Sequence, residues 1–145
     1  PPHGFGFPYL ALVVSGGHTH LFKVDAPGTY HLLGQTVDDA AGEAFDKFAK
    51  MLKLGFPGGV QVDRLAVGGN VQAFQFPRGL RSEESLNFSF SGLKTAASRT
   101  LETLGPAEAE NRKADLCASF QEAIVEVLIE KMVKAANRYQ LKNWT

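Results

Sequence analysis

The apolar residues of this chain keep two different periods, and the change between them near residue 36 limits what it can fold into. Up to Gln35 they come in short runs that are continuous or alternate; from Ala41 onward they recur every three or four residues. Tyr9 to Val14 is a near-continuous apolar run, as in a strand buried on both faces. Ser15-Gly16-Gly17 then turns the chain. In Thr19 to Val24, strand alternation puts His20, Phe22 and Val24 on one face and Thr19, Leu21 and Lys23 on the other. Asp25-Ala26-Pro27-Gly28 is a second turn and Tyr30 to Gln35 a third strand. Three strands joined by short turns make an antiparallel meander.

The second period predicts helices. Ala41, Phe45, Phe48 and Leu52 share one helical face, preceded by Thr36 and Asp39 at capping-box spacing, with Asp38 or Asp39 as an equal choice of N-cap. Gly55 and Pro57 end this helix, and Gly58-Gly59 open a short one that carries Val62, Leu65 and Ala66 inward until Gly68-Gly69-Asn70. Val71 to Ser85 reads as loop, including a charged Arg81-Ser82-Glu83-Glu84 stretch. Leu86, Phe88 and Phe90 alternate with Asn87, Ser89 and Ser91 in an extended segment. Ser91 is placed to cap a helix with Leu93, Ala96, Ala97 and Leu101 inside, and Gly105-Pro106 breaks it. A long helix follows from about Ala107 to Tyr139. Leu116, Phe120, Ile124, Val127 and Leu128 form one apolar side and Val125, Ile129, Met132 and Val133 a second, a width that predicts contact with two layers.

Length and composition narrow the function classes. The chain has 145 residues, about one domain. Its 15 basic and 15 acidic residues cancel, so no global basic field draws it to nucleic acid, although a local patch would serve an RNA partner. The single cysteine, Cys117, excludes an internal disulfide and sits in an apolar helical pattern that favours a buried hydrophobe. No apolar run approaches the roughly 18–20 residues that span a bilayer, and no secretory signal is present. The opening Pro1-Pro2-His3-Gly4 lacks a methionine and the end at Leu141-Lys142-Asn143-Trp144-Thr145 lacks a polar tail; both read as cuts through a longer chain.

Few residues announce chemistry by themselves. The glycines of Ser15-Gly16-Gly17 permit backbone N–H groups to turn toward a phosphate or sugar, and equally serve any tight hairpin. From position alone, Asp46 is a solvated carboxylate with Lys50 one turn on. Asp63 lies one turn after Gly59; a bare glycine beside a carboxylate leaves room for a sugar whose hydroxyls the carboxylate accepts, and a glycine-started surface helix reads equally well. His18 and His20 share a strand face without an evident third ligand, so they read as strand residues. No C-x-x-C, complete P-loop or protease zinc motif is present.

Four blocks together resemble the TsaD (formerly Gcp) family, in its bacterial branch: Val14-Ser15-Gly16-Gly17-His18-Thr19, then Asp38-Asp39-Ala40-Ala41-Gly42-Glu43-Ala44-Phe45-Asp46-Lys47, then Pro57-Gly58-Gly59, then Asn87-Phe88-Ser89-Phe90-Ser91-Gly92-Leu93-Lys94-Thr95. The resemblance runs from about Tyr9 to Thr145, and the block at Asp38 to Lys47 is the most specific. It implies an α/β fold, part of a ribonuclease-H-like lobe of the actin-like ATPase fold, with the three-stranded meander followed by helices. The chain would be one fragment of a two-lobe protein, with 1–8 as linker, 9–37 as antiparallel strands and 38–145 mainly helical.

The family's members transfer a threonylcarbamoyl group from threonylcarbamoyl-adenylate to the adenosine beside the anticodon of tRNA. By that resemblance Val13, Val14, Ser15, Gly16 and Gly17 meet the substrate, as do Asp46, Gly59 and Asp63, the carboxylates toward the ribose. The implied cofactors are an adenylate or ATP-like ligand and a divalent metal of iron or zinc type. Nothing here matches the family's upstream H-x-x-x-H, so its ligands fall outside this chain. The implied partners are tRNA and TsaB-like and TsaE-like proteins, in the cytoplasm and without a membrane. A lobe lacking its last strands would also self-associate through an exposed sheet edge. The isolated fragment is expected to show no turnover and weak nucleotide binding. The rivals are another carbamoyltransferase or a kinase of the same fold, a metalloprotease as in the family's older label, and a non-catalytic interaction module.

Overall fold

Alternating strands with one apolar face need a layer to cover that face, and the helices supply it. The computed structural model describes residues 6–81 and 84–145. Pro1 to Phe5 of the expected linker, and Ser82 and Glu83 of the charged stretch, lie outside the described residues. The sheet has three strands, β1 (Tyr9–Val14), β2 (Thr19–Ala26) and β3 (Thr29–Gln35), in the order β1-β2-β3 and antiparallel throughout. Four helices follow: α1 (Ala41–Met51), α2 (Gly58–Ala66), α3 (Ser91–Asn111) and α4 (Lys113–Tyr139). This is the three-stranded meander and helical layer expected of part of a TsaD-type lobe.

Register decides which face meets the helices. Leu12 opposes Leu21 and Val14 opposes Thr19, while Val13 opposes His20 and Ala11 opposes Phe22. Leu10, Thr19 and Leu21 are fully buried toward the helices. On the other face the rings of His18, His20, Phe22 and Tyr30 follow one another edge to face at 5.2–5.7 Å, and Val13, Tyr30 and Leu32 stay exposed.

The core is aromatic where α1 meets α4. Phe48 stacks on Phe120 with ring centroids 4.0 Å apart, and Phe76 closes edge to face on both. Burial of side chains of this size contributes about 1.5–3 kcal/mol each. Cys117 is buried as expected, and desolvation pushes its thiol up to about 11.

Polar anchors hold the long loop to this core. Ser119 Oγ donates to Asn70 O and accepts from Phe74 N. Arg78 and Arg81 grip Glu126. The buried Lys131 Nζ donates to the carbonyls of Leu80 and Ser85.

Several expectations need correction. Thr36 and Asp39 do not form the capping box: the N-cap of α1 is Ala40, Thr36 Oγ1 donates to Asp39 O, and Asp39 pairs with Lys47. Ser91 does not cap α3 but is its first residue, after Phe90. The long helix does not start at Ala107. Residues 106–111 continue α3 past a kink at Gly105 (φ 77°), and Arg112 separates them from α4. Of the second apolar side of α4, Met132 is buried in the core, while Val125, Ile129 and Val133 remain 41–49% exposed, so among the described residues that side is covered only in part.

The sheet edge is also less open than expected. Residues 143–145 run parallel beside β1, with Leu10 N donating to Asn143 O, Thr145 N to Leu10 O and Leu12 N to Thr145 O. Beyond the end of β3, Phe88 N donates to Gln35 O and Val37 N to Phe88 O. Gly34 permits this crossing, because a Cβ there would lie 2.0 Å from Leu86 O.

Candidate functional site

The β1–β2 turn is closed by its own serine. Ser15 N donates to His18 O at 2.8 Å, while Ser15 Oγ accepts from His18 N at 3.0 Å and Gly17 N at 3.3 Å. Ser15, Gly16 and Gly17 are exposed, as are Val13 and Val14 at the end of β1. Those two valines alternate across the sheet, so what they share on one side is backbone.

The start of α1 is seated on this turn. Ala41 N donates to the buried Thr19 Oγ1 at 2.8 Å, and Gly42 N to Ser15 O at 3.1 Å. A Cβ on Gly42 would lie 2.5 Å from Ser15 O and 2.7 Å from Gly16 N, so only glycine permits this approach. Neither Thr19 nor Gly42 is singled out by sequence reasoning, although a glycine inside a helix costs about 1 kcal/mol relative to alanine, a signal of a packing requirement.

One turn along α1, Asp46 faces the same turn. Its Oδ2 lies 4.0 Å from the position of a Cβ on Gly16. Its Oδ1 accepts from Gly58 N, the first N–H of α2, at 2.8 Å. Gly58 has no room for a side chain either, since a Cβ there would meet Asp46 Cα at 2.6 Å. Asp46 is therefore not the solvated partner of Lys50 that its position alone suggests. It stands between the glycine turn and the start of α2. Gly59 follows at that start, its Cβ position 3.9 Å from Phe45.

Asp63 lies one turn along α2 from Gly59, exposed, with Oδ1 accepting from Gln121 Nε2 of α4 at 2.7 Å. The structure thus gathers the Ser15–Gly17 turn, Asp46, Gly58 and Gly59 into one wall, with Asp63 further along the same helix.

Asp38 does something different. Its carboxylate accepts from Ser89 Oγ, Phe90 N, Ser91 N and Ser91 Oγ, tying the end of the sheet to the start of α3. Desolvation pushes its pKa up, but these hydrogen bonds outweigh it, and the net shift is below the ordinary carboxylate value. Lys47 is shifted up by hydrogen bonds to Asp39 and Glu43.

The resemblance places the family's metal ligands outside this chain. Among the described residues no three His, Cys, Asp or Glu side chains come together to hold an ion. The described residues do not fit the group, and no step is assigned to it. Among the described residues, too, no helix is long and apolar enough to cross a membrane.

With this geometry in place, the comparisons are specific. The sequence profile of the TsaD family, described as tRNA N6-adenosine threonylcarbamoyltransferase, matches residues 2–145. A Bdellovibrio bacteriovorus protein named tRNA N6-adenosine threonylcarbamoyltransferase is 56% identical over 142 residues, 98% of this chain and 41% of its own length. A protein of the same name from Syntrophotalea carbinolica is 54% identical over 137 residues, 94% of this chain and 40% of its own. One from Geobacter sulfurreducens is 57% identical over 130 residues, 90% and 38%. The chain spans about 40% of the length of these relatives.

Proposed function

Since the chain belongs to the TsaD family, we propose that it forms one wall of the site where an adenylate is held while its threonylcarbamoyl group passes to a tRNA adenosine. The observation that carries this reading is the meeting of the exposed glycine turn, Asp46 and the start of α2. The turn leaves Gly16 and Gly17 exposed; Gly17 N rests on Ser15 Oγ at 3.3 Å and would turn from it to meet a phosphoryl group beside Gly16. Asp46 keeps a second carboxylate oxygen beside the turn, and Asp63 a second oxygen beyond its bond to Gln121; such oxygens accept from ribose hydroxyls. Gly59 leaves space between them.

In the transfer, the adenosine amine attacks the carbonyl carbon, a C–N bond forms, and the bond to the adenylate phosphate oxygen breaks. This wall positions the donor and its leaving group. No side chain of this chain is assigned as the base. tRNA, and TsaB-like and TsaE-like proteins, are proposed as partners of the whole protein, and self-association is proposed through the part of the sheet edge that residues 143–145 leave free.

Titration of the isotope-labelled chain with AMP tests the binding reading. The amides of Gly16, Gly17 and Gly59 should shift together, with weak affinity. Shifts that are absent, or scattered away from this wall, would sink it. In cells that rely on the gene encoding this chain, Asp46→Asn should lower the threonylcarbamoyladenosine content of tRNA nucleosides measured by mass spectrometry.

A further inference from the structure

We propose that Thr19 and Gly42 are positioning residues of this site: they lock the glycine turn onto the start of α1 and so set its distance from Asp46. The inference rests on the adenylate reading. An exposed turn with two adjacent glycines has little stiffness of its own. Its shape comes from Ser15, which bonds to Gly17 and His18. Its place relative to the helices comes from two other bonds, Ala41 N to Thr19 Oγ1 and Gly42 N to Ser15 O.

Both donors belong to the first turn of α1, whose N–H groups have no intrahelical acceptor. They are spent on the turn's scaffold rather than on a ligand. Thr19 is fully buried, so its hydroxyl is held in place by packing. Gly42 removes the one side-chain atom that would push Ser15 and Gly16 away, and the obstructing atoms are backbone that cannot swing aside. Residues four apart share a helix face. The seating that brings Gly42 onto Ser15 therefore also brings Asp46 to Gly16 on one side and to Gly58 N on the other. A shift of α1 on the turn would separate the proposed phosphoryl and ribose contacts without touching either.

The test uses the labelled chain, AMP as probe, and four variants. Thr19→Val keeps the shape and removes the acceptor; Thr19→Ser keeps the acceptor. Gly42→Ala introduces the clash, and Gly92→Ala, where a Cβ meets nothing within 4 Å, is the control. Expected are cooperative melts throughout, AMP affinity at least ~10-fold weaker in Thr19→Val and Gly42→Ala, and affinity within ~2-fold of the parent in Thr19→Ser and Gly92→Ala. If Gly42→Ala does not fold, the Thr19 pair decides. A folded Thr19→Val that binds AMP like the parent overturns the inference and leaves the adenylate reading standing. If the parent itself binds no AMP, the adenylate reading fails alone, and the ligand-free amides decide the inference. Gly16 and Asp46 should move in Thr19→Val and return in Thr19→Ser; no movement overturns it.

Discussion

Helices α1 and α2 both begin after a residue with no side chain able to cap them, Ala40 for α1 and Pro57 for α2. Both borrow acceptors from elsewhere in the chain. At α1 three N–H groups are taken: Ala41 N by Thr19 Oγ1, Gly42 N by Ser15 O, and Ala40 N by the carboxylate of Glu43 in the helix itself. Glu43 also opposes the helix dipole within the first turn. At α2 only Gly58 N is taken, by Asp46, and the first turn carries no acidic residue. Gly59 and Val60 come next, without an intrahelical acceptor open to them. One helix start is closed and serves as a foundation; the other is half open, beside an exposed glycine turn. On the adenylate reading, structural and ligand-facing tasks are divided between two neighbouring helix ends, with Asp46 joining them.

Forcing a side chain into the closed start should have the largest effect. Gly42→Ala places a Cβ 2.5 Å from a carbonyl oxygen, and such overpacking costs about 1–3 kcal/mol, more than the roughly 1 kcal/mol that alanine gains in a helix. Gly58→Ala, at 2.6 Å from Asp46 Cα, should destabilise comparably. Gly92→Ala should be neutral or stabilising. Urea titrations of the three variants check this. Equal midpoints would mean that α1 and α2 slide freely on their neighbours.

A third start, that of α3, sharpens the same point through pH. Asp38 supplies its cap from 52 residues away, and the hydrogen bonds lower its folded pKa. A lowered folded value means that this stabilisation is present above the unfolded carboxylate pKa and is lost as pH falls through the folded one, below about 3.8. Asp38→Ala should cost about 1–2 kcal/mol at pH 7, as loss of an N-cap does. It should also shrink the difference in thermal midpoint between pH 7 and pH 3 relative to the parent. An unchanged difference would show that other carboxylates set the acid limb.

These long-range caps mark where the sequence stopped being readable. The strands and the first two helices were legible within a few residues because their apolar periods are unmixed and glycine or proline bounds them. The start of α4 was not. Nothing at Arg112 breaks a helix by propensity, and the interruption shows only in its backbone, at φ −108°. The caps on α1, α2 and α3 were illegible for a different reason: Ala40, Pro57 and Phe90 carry no capping signal, while Asp46 and Asp38 cap partners 12 and 52 residues away. Of the candidate site, the glycine turn was visible as a turn. Asp46 stood out only through the family's motifs, while the spacing of Asp63 from Gly59 suited a sugar contact and a surface helix equally. Thr19 closed the first motif block and shared a strand face with Leu21 and Lys23, but nothing in the sequence marked its hydroxyl as an acceptor.

Asp46→Asn should disturb the fold less, since its amide oxygen still accepts from Gly58 N; a midpoint change worth under about 1 kcal/mol is expected. Binding of AMP should nonetheless weaken about 10-fold, equivalent to about 1.4 kcal/mol, because an amide nitrogen replaces one acceptor oxygen. Asp63→Asn is the gentlest probe. Asp63 is exposed, and an asparagine oxygen keeps the bond from Gln121 Nε2, so stability should hold within about 0.5 kcal/mol. If AMP affinity nevertheless falls several-fold in calorimetric titration, Asp63 contributes through its charge and its second oxygen rather than through α4. If affinity is unchanged, the half-open start of α2 binds through Gly59 and Asp46 alone, and the wall ends one helical turn sooner.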